Sequence, residues 1–144
     1  MMRFSFALSG LAIAVASCAT PAPALPDRLA LPADHTLVWA DEFETDGLPD
    51  PAKWAYDTHR NADGWFNDEL QYYSANRSEN ARVEDGRLII EARQEPVPAE
   101  TFPDTGGQSY TSARLLTEGL AAWQYGYFEI RAKLPCGRGL WPAI

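Results

Sequence analysis

The sequence predicts an all-β fold, arranged as an antiparallel β-sandwich or barrel. Apolar and polar residues alternate over 127–134, a period of two that is typical of a strand with one buried face. Residues 87–93 repeat this pattern, and Asp85-Gly86 just before them is a hairpin-turn signal that makes 81–84 the partner strand. No segment shows a convincing amphipathic helix pattern. Short strands separated by turns are typical of sandwiches and barrels.

The remaining elements follow from shorter runs of apolar and β-branched residues. Further strands are expected at 36–40, 54–56, 70–73 and 111–116. Three prolines and a Gly-Gly pair fall within 95–108, which predicts a loop there.

The N-terminus has the pattern of an export signal. Arg3 precedes an apolar core that is too short to span a membrane, so 1–17 is expected to be a signal peptide. The core ends in Val-Ala-Ser-Cys, which resembles the bacterial lipobox, and Cys18 would then carry a lipid anchor, with Ala19 after it favouring the outer membrane. The alternative is ordinary secretion, with cleavage at Ala22-Pro23-Ala24 and loss of Cys18. Residues 18–34 are rich in Pro and Ala and predict a tether, followed by one domain at 35–144.

Composition excludes some classes of protein. The formal net charge is −8, which disfavours binding to nucleic-acid phosphates. The body of the chain has no apolar stretch of about 18 residues, so no spanning helix is expected there. His35 and His59 have no ligand-like neighbours in the sequence, so a transition-metal site is not expected. With Cys18 lipidated, Cys136 would be a free thiol.

An ordered series of motifs resembles glycoside hydrolase family 16, the laminarinase-like β-glucanases. The segments that carry the resemblance are LVWADEF at 37–43, NDELQYY at 67–73, the hairpin at 81–92, TSAR at 111–114, YGYFEIRAKLP at 125–135 and GRGLWPAI at 137–144. The resemblance implies a jelly-roll, concanavalin A-like sandwich whose concave sheet holds a β-glucan. It also implies a retaining endo-hydrolase, with β-1,3-glucan favoured and a mixed 1,3-1,4 linkage left open.

The chemistry of that family needs two carboxylates on a Glu-x-Asp-x-(x)-Glu strand, one as nucleophile and one as acid/base. No such motif occurs in the 144 residues. We therefore expect no catalytic residue in this chain, an incomplete sandwich with uncovered apolar faces, poor folding on its own, and no hydrolysis by these residues alone. A truncated product or a partial gene is the expected explanation. A non-catalytic glucan-binding lipoprotein and a fragment without function are the alternatives.

The resemblance also nominates binding residues. Asn67 and Arg114 would donate hydrogen bonds to sugar hydroxyls, against a turn Asn and a surface Arg as the ordinary interpretations. Trp141 would stack on a glucosyl ring or pack in the core. Trp65 and Tyr72 are also placed either against glycan or in the core.

The resemblance implies a structural calcium ion in the complete domain. Glu42 and Gly86 correspond to two of its ligands, and the third would be missing from this chain.

Overall fold

A computed structural model describes residues 32–144 of the protein. The predicted signal peptide at 1–17, Cys18 and nearly all of the predicted tether at 18–34 lie outside the described residues. The chain divides into two compact units, one formed by Asp34–Tyr127 and one that includes Phe128–Ile144. Over 32–144, no helix has the length and apolar character needed to cross a membrane.

The regular secondary structure of the described residues is almost entirely β, as the sequence predicts. Its strands are β1 Ala55–Tyr56, β2 Gln71–Tyr73, β3 Ala81–Glu84, β4 Arg87–Ile90, β5 Arg93–Gln94, β6 Tyr110–Ser112 and β7 Leu115–Leu116. Between residues 32 and 144 there is no α-helix, and one 3-10 turn spans Phe66–Asp68. All of these elements belong to the unit Asp34–Tyr127.

The strands pair in small sheets. Strands β3 and β4 form an antiparallel hairpin, and β1 and β7 also pair antiparallel. A three-stranded sheet has the order β2-β6-β5, in which β5 and β6 are antiparallel. The other strand pairs are antiparallel, as predicted, whereas β2 and β6 run parallel. They can do so because the chain between them is long enough to cross over and return in the same direction.

The β3–β4 hairpin forms where the sequence places it. Glu84 pairs with Arg87, and the two residues between them, Asp85 and Gly86, have φ angles of 51° and 70°. Two consecutive left-handed residues define the turn type whose twist matches that of the flanking strands, and Asp-Gly is a preferred pair for it. Outside the hairpin, Gly47 forms a bridge to Val83.

The interior of this unit combines a small apolar cluster with buried polar side chains. Tyr72, Val97 and Phe102 form the apolar cluster, and the rings of Tyr72 and Phe102 meet edge to face at 4.9 Å. Two polar residues are also fully buried: Asn80, in the turn that precedes β3, and Thr111, on β6. Buried polar groups must be hydrogen-bonded to be tolerated, so the interior depends on specific pairs as well as on apolar burial.

Two of the predicted strands are absent. Residues 36–40 form no strand, and Trp39 is instead held by edge-to-face contacts with Trp54 and Trp123 at 5.5 Å and 5.4 Å. Residues 127–134 also form no strand, and the apolar side chains of Phe128, Ile130 and Leu134 are about 60% exposed. The alternating pattern shows which face would be buried, but a strand also needs a neighbour to satisfy its backbone groups. No strand is assigned over these residues, so the alternating pattern alone does not decide the pairing.

Candidate functional site

The candidate site is built around Trp65, which the structure buries to 6% exposure. The ring of Tyr73 meets it edge to face at 4.7 Å, and the ring of His59 does so at 5.4 Å. The guanidinium carbon of Arg114 lies 5.3 Å from the centre of the same ring. Trp65 is therefore packed in the interior, which is one of the two interpretations of this residue. It packs against Arg114, a predicted substrate-binding residue.

Arg114 follows β6 and is fixed by a buried carboxylate. Its Nε forms an ion pair with Oδ2 of Asp57 at 3.3 Å, and the backbone N–H of Asp57 donates to the Arg114 carbonyl at 2.9 Å. The same carboxylate bonds Nδ1 of His59. The Arg114 side chain is 46% exposed, and a guanidinium carries five N–H donors, so it can offer donors on its exposed side. This is a rigid, partly exposed cation suited to hydroxyl groups.

Asn61 holds the other side of Trp65 in place. It is 1% exposed, and its Oδ1 accepts from Trp65 Nε1 at 3.2 Å and from the Tyr73 N–H at 3.0 Å. Its Nδ2 donates to the Tyr73 carbonyl and to Asp104, each at 3.0 Å. All four hydrogen-bonding positions of the amide are thus in use.

Asp104 links this amide to the apolar cluster. It also accepts from the hydroxyl of Tyr72, whose pKa is raised to about 12 by burial first and by the hydrogen bond to Asp104 second. Tyr72 therefore stays protonated and acts as a donor to Asp104 at any physiological pH. It is buried and packs, so direct contact with glycan is not its role in this structure.

Asn67 is exposed in the turn directly after Trp65. Its φ and ψ of 60° and 29° are left-handed, and Asp68 follows with φ 56°. Glu69 ends the turn and accepts from Nε2 of Gln71 at 2.7 Å. Arg114 therefore contacts the Trp65 ring, and Asn67 lies two residues after Trp65 in the chain. Their roles in binding remain predictions.

Trp141 lies in the other unit, and nothing described relates it to Trp65. Its side chain is 73% exposed. That exposure argues against the core-packing interpretation, while its contact with substrate remains a prediction.

The two positions nominated for calcium do not by themselves form a metal site. Glu42 is exposed, and Gly86 lies in the hairpin turn. Calcium takes six to eight oxygen ligands, and residues 32–144 contain no group of three or more acidic, His or Cys side chains that could hold a metal ion. Two positions supply fewer oxygens than calcium takes, and the calcium ion of the complete domain remains a prediction.

An open groove of about 540 Å³ borders the Asp57 side of the site. It is lined by Ala55, Tyr56, Asp57, Thr58, His59, Leu116 and Glu118. Sequence reasoning did not select Asp57, His59, Asn61 or Asp104. Asp57 and His59 lie just after β1, and an acid two residues before a histidine is the local sequence signal for this pair.

Comparison with known proteins gives a consistent set of relatives. No family model matches the chain. It is 60% identical over 108 residues to a β-glucanase of Rhodothermus marinus, an alignment that covers 75% of this chain and 34% of the relative. It is 46% identical over 108 residues to a glucan endo-1,3-β-glucosidase of Cryptopygus antarcticus, covering 75% and 37%.

Among solved structures, it is similar to SCLam, a non-specific endo-β-1,3(4)-glucanase from glycoside hydrolase family 16. A variant of SCLam with 1,3-β-D-cellobiosyl-glucose at its active site matches with a TM-score of 0.64 and 58% identity. The match covers 68% of this chain and 38% of that one. The chain spans about a third of the length of the curated relatives it matches.

Proposed function

The chain belongs to glycoside hydrolase family 16, and from this premise we propose that it is part of a retaining endo-hydrolase of β-glucan, with β-1,3-glucan as substrate. Its strands form part of the jelly-roll β-sandwich of that family. The observation that carries the proposal is the Arg114 guanidinium, which is held between a buried carboxylate and the Trp65 ring and remains partly exposed. The endo-1,3-β-glucosidase and SCLam relatives, whose names specify β-glucan linkages, support this choice of substrate.

Within the proposed enzyme, these residues bind and orient the glucan. Retaining hydrolysis needs a nucleophilic carboxylate and an acid/base carboxyl about 5 Å apart across the scissile bond. The Glu-x-Asp-x-(x)-Glu motif that supplies them in the family occurs nowhere in the 144 residues. These residues alone are therefore expected to bind without cleaving, which is also the expected behaviour of a glucan-binding lipoprotein.

Native electrophoresis of the full chain in gels containing laminarin tests the proposal. We expect laminarin to retard the chain and Arg114→Ala to weaken the apparent affinity about tenfold, because hydrogen bonds from a charged donor contribute about 1.5–3 kcal/mol. Arg87→Ala is the matched control, since Arg87 is exposed on the β3–β4 hairpin. Incubation with laminarin should release no reducing ends.

Equal retardation of wild type and Arg114→Ala would remove Arg114 from the binding site. Unchanged mobility of the wild-type chain in laminarin would contradict the proposed function itself. Release of reducing ends would show that carboxylates outside the family motif carry out hydrolysis.

We further propose that the protein is exported and anchored in the bacterial envelope by a lipid on Cys18, at the outer membrane. The lipobox-like Val-Ala-Ser-Cys after a short apolar core supports this. In a Gram-negative host fed a radioactive fatty acid, the full chain should be labelled and should sediment with membranes.

Cys18→Ser should abolish both the label and the sedimentation, because the thiol is the group that is alkylated. Cys136→Ser is the matched control, since Cys136 is an exposed free thiol and should leave both unchanged. Label that persists in Cys18→Ser would indicate another attachment point, and a wild-type chain without label would favour ordinary secretion.

A further inference from the structure

The turn that carries Asn67 also presents an aromatic ring to solvent. Phe66 is 62% exposed, although burial of such a side chain is favourable for folding. We propose that Phe66, held by Arg60, is a stacking platform for a glucosyl ring. The turn Phe66–Asp68 is then a glucan contact in addition to Arg114. This inference rests on the proposed function and names one more residue that binds the same substrate.

Arg60 fixes the orientation of the ring. Its guanidinium carbon lies 4.4 Å from the centre of the Phe66 ring, and its Nε donates to the Gly64 carbonyl at 3.1 Å. The Gly64 N–H in turn donates to the Arg60 carbonyl at 2.9 Å. The cation therefore lies over one ring face and is itself tied to the loop, which reduces the rotational freedom that the ring would lose on binding.

The backbone of the turn is held in an uncommon conformation. Asn67 and Asp68 are consecutive non-glycine residues in the left-handed region, which the surrounding structure must stabilise. That support comes from Trp65, buried and bonded to Asn61, immediately before the turn, and from the Glu69 N–H, which donates to the Phe66 carbonyl at 3.3 Å. The result is a fixed, projecting turn with three exposed side chains in sequence.

These three side chains match the chemistry of a sugar. A glucosyl ring has a C–H face that stacks on an aromatic ring, and hydroxyl groups at its edge that donate and accept hydrogen bonds. Phe66 offers the ring, the Asn67 amide offers a donor and an acceptor, and the Asp68 carboxylate offers acceptors. A single exposed apolar residue is ordinary on a protein surface, but here the ring, its cation and the adjacent polar pair lie together next to Trp65.

Two substitutions separate stacking from simple hydrophobicity. Phe66→Leu keeps an apolar side chain but removes the ring face, whereas Phe66→Trp keeps and enlarges it. Affinity of the full chain for laminarin is measured by electrophoresis over a series of laminarin concentrations. We expect Phe66→Leu to bind about three- to tenfold more weakly and Phe66→Trp to bind at least as tightly as wild type.

Equal affinity of Phe66→Leu and wild type would overturn the platform, and a continuing effect of Arg114→Ala would leave the proposed function intact. Equal weakening by Phe66→Leu and Phe66→Trp would also overturn it, because the ring face would then not be the feature recognised. A wild-type chain that laminarin does not retard would overturn the proposed function and the platform together.

Discussion

Replacing Asn80 with alanine is expected to lower the free energy of unfolding by about 3 kcal/mol, because the amide is fully buried and makes four hydrogen bonds. Its Nδ2 donates to the Glu91 carbonyl at 3.1 Å and to Thr111 Oγ1 at 2.8 Å. Its Oδ1 accepts from Ser74 and from Arg77, each at 2.7 Å. Alanine leaves several of these buried partners unsatisfied at once, which costs more than the loss of one bond.

Asn80→Ala should also weaken the ion pair between Arg77 and Glu95, because Arg77 donates to the Asn80 side chain. Arg77 binds both carboxylate oxygens of Glu95, at 2.6 Å and 3.1 Å, and the Thr111 hydroxyl also donates to Glu95. These contacts, that of Arg77 first and that of Thr111 second, lower the pKa of Glu95 to about 2. Asn80 thus keeps Arg77 and Thr111 in position for a carboxylate that is charged throughout the physiological range.

Urea unfolding of the full chain, followed by tryptophan fluorescence, measures this effect. Ser78→Ala is the matched control, since Ser78 is exposed in the same turn and its hydroxyl donates to the neighbouring Glu79 side chain, while its carbonyl, which accepts from Arg82, is kept in alanine. It should change the unfolding free energy by less than about 0.5 kcal/mol. A loss below about 1 kcal/mol in Asn80→Ala would mean that water or a rearranged Arg77 replaces the missing amide.

The features that could be predicted from the sequence are those set by local chemistry. The β3–β4 hairpin follows from Asp85-Gly86, because a two-residue turn fixes the register of the strands on either side. The strand expected at 127–134 depends on a partner strand as well as on its alternating pattern, and the structure has no strand there. Local patterns thus predict turns more securely than they predict pairing.

The candidate site divides in the same way. Asn67 and Arg114 lie in motifs that resemble a family; Arg114 contacts the Trp65 ring, and Asn67 lies two residues after Trp65 in the chain. Asn61 and Asp104 were not selected, because their contact joins residues 43 positions apart and neither lies in a recognisable motif. Asn61 is important because it is buried and uses all four hydrogen-bonding positions of its amide, and Asp104 because it accepts one of these bonds. These contacts form only in the folded chain.

The largest effect on binding is expected from replacing Asn61 with aspartate. The new carboxylate would lie about 3 Å from that of Asp104, and two like charges at this distance cannot both be accommodated without cost. The Tyr73 carbonyl would also lose its donor. We expect the affinity for laminarin to fall more than tenfold, since Trp65 supports both Arg114 and the turn with Asn67, and the unfolding free energy to fall by about 2–4 kcal/mol.

A second substitution decides whether the Asn61–Asp104 contact is the cause. In the double variant Asn61→Asp/Asp104→Asn, the amide and the carboxylate change places: the new amide can donate to residue 61 and still accept from the Tyr72 hydroxyl. The double variant should therefore be more stable than the two single effects predict, by about 1–2 kcal/mol, and should regain part of the affinity for laminarin. Recovery should be incomplete, because the Tyr73 carbonyl still lacks its donor. If the two effects simply add, Asn61 supports Trp65 without help from Asp104, and the connection between the apolar cluster and the candidate site is not an energetic one.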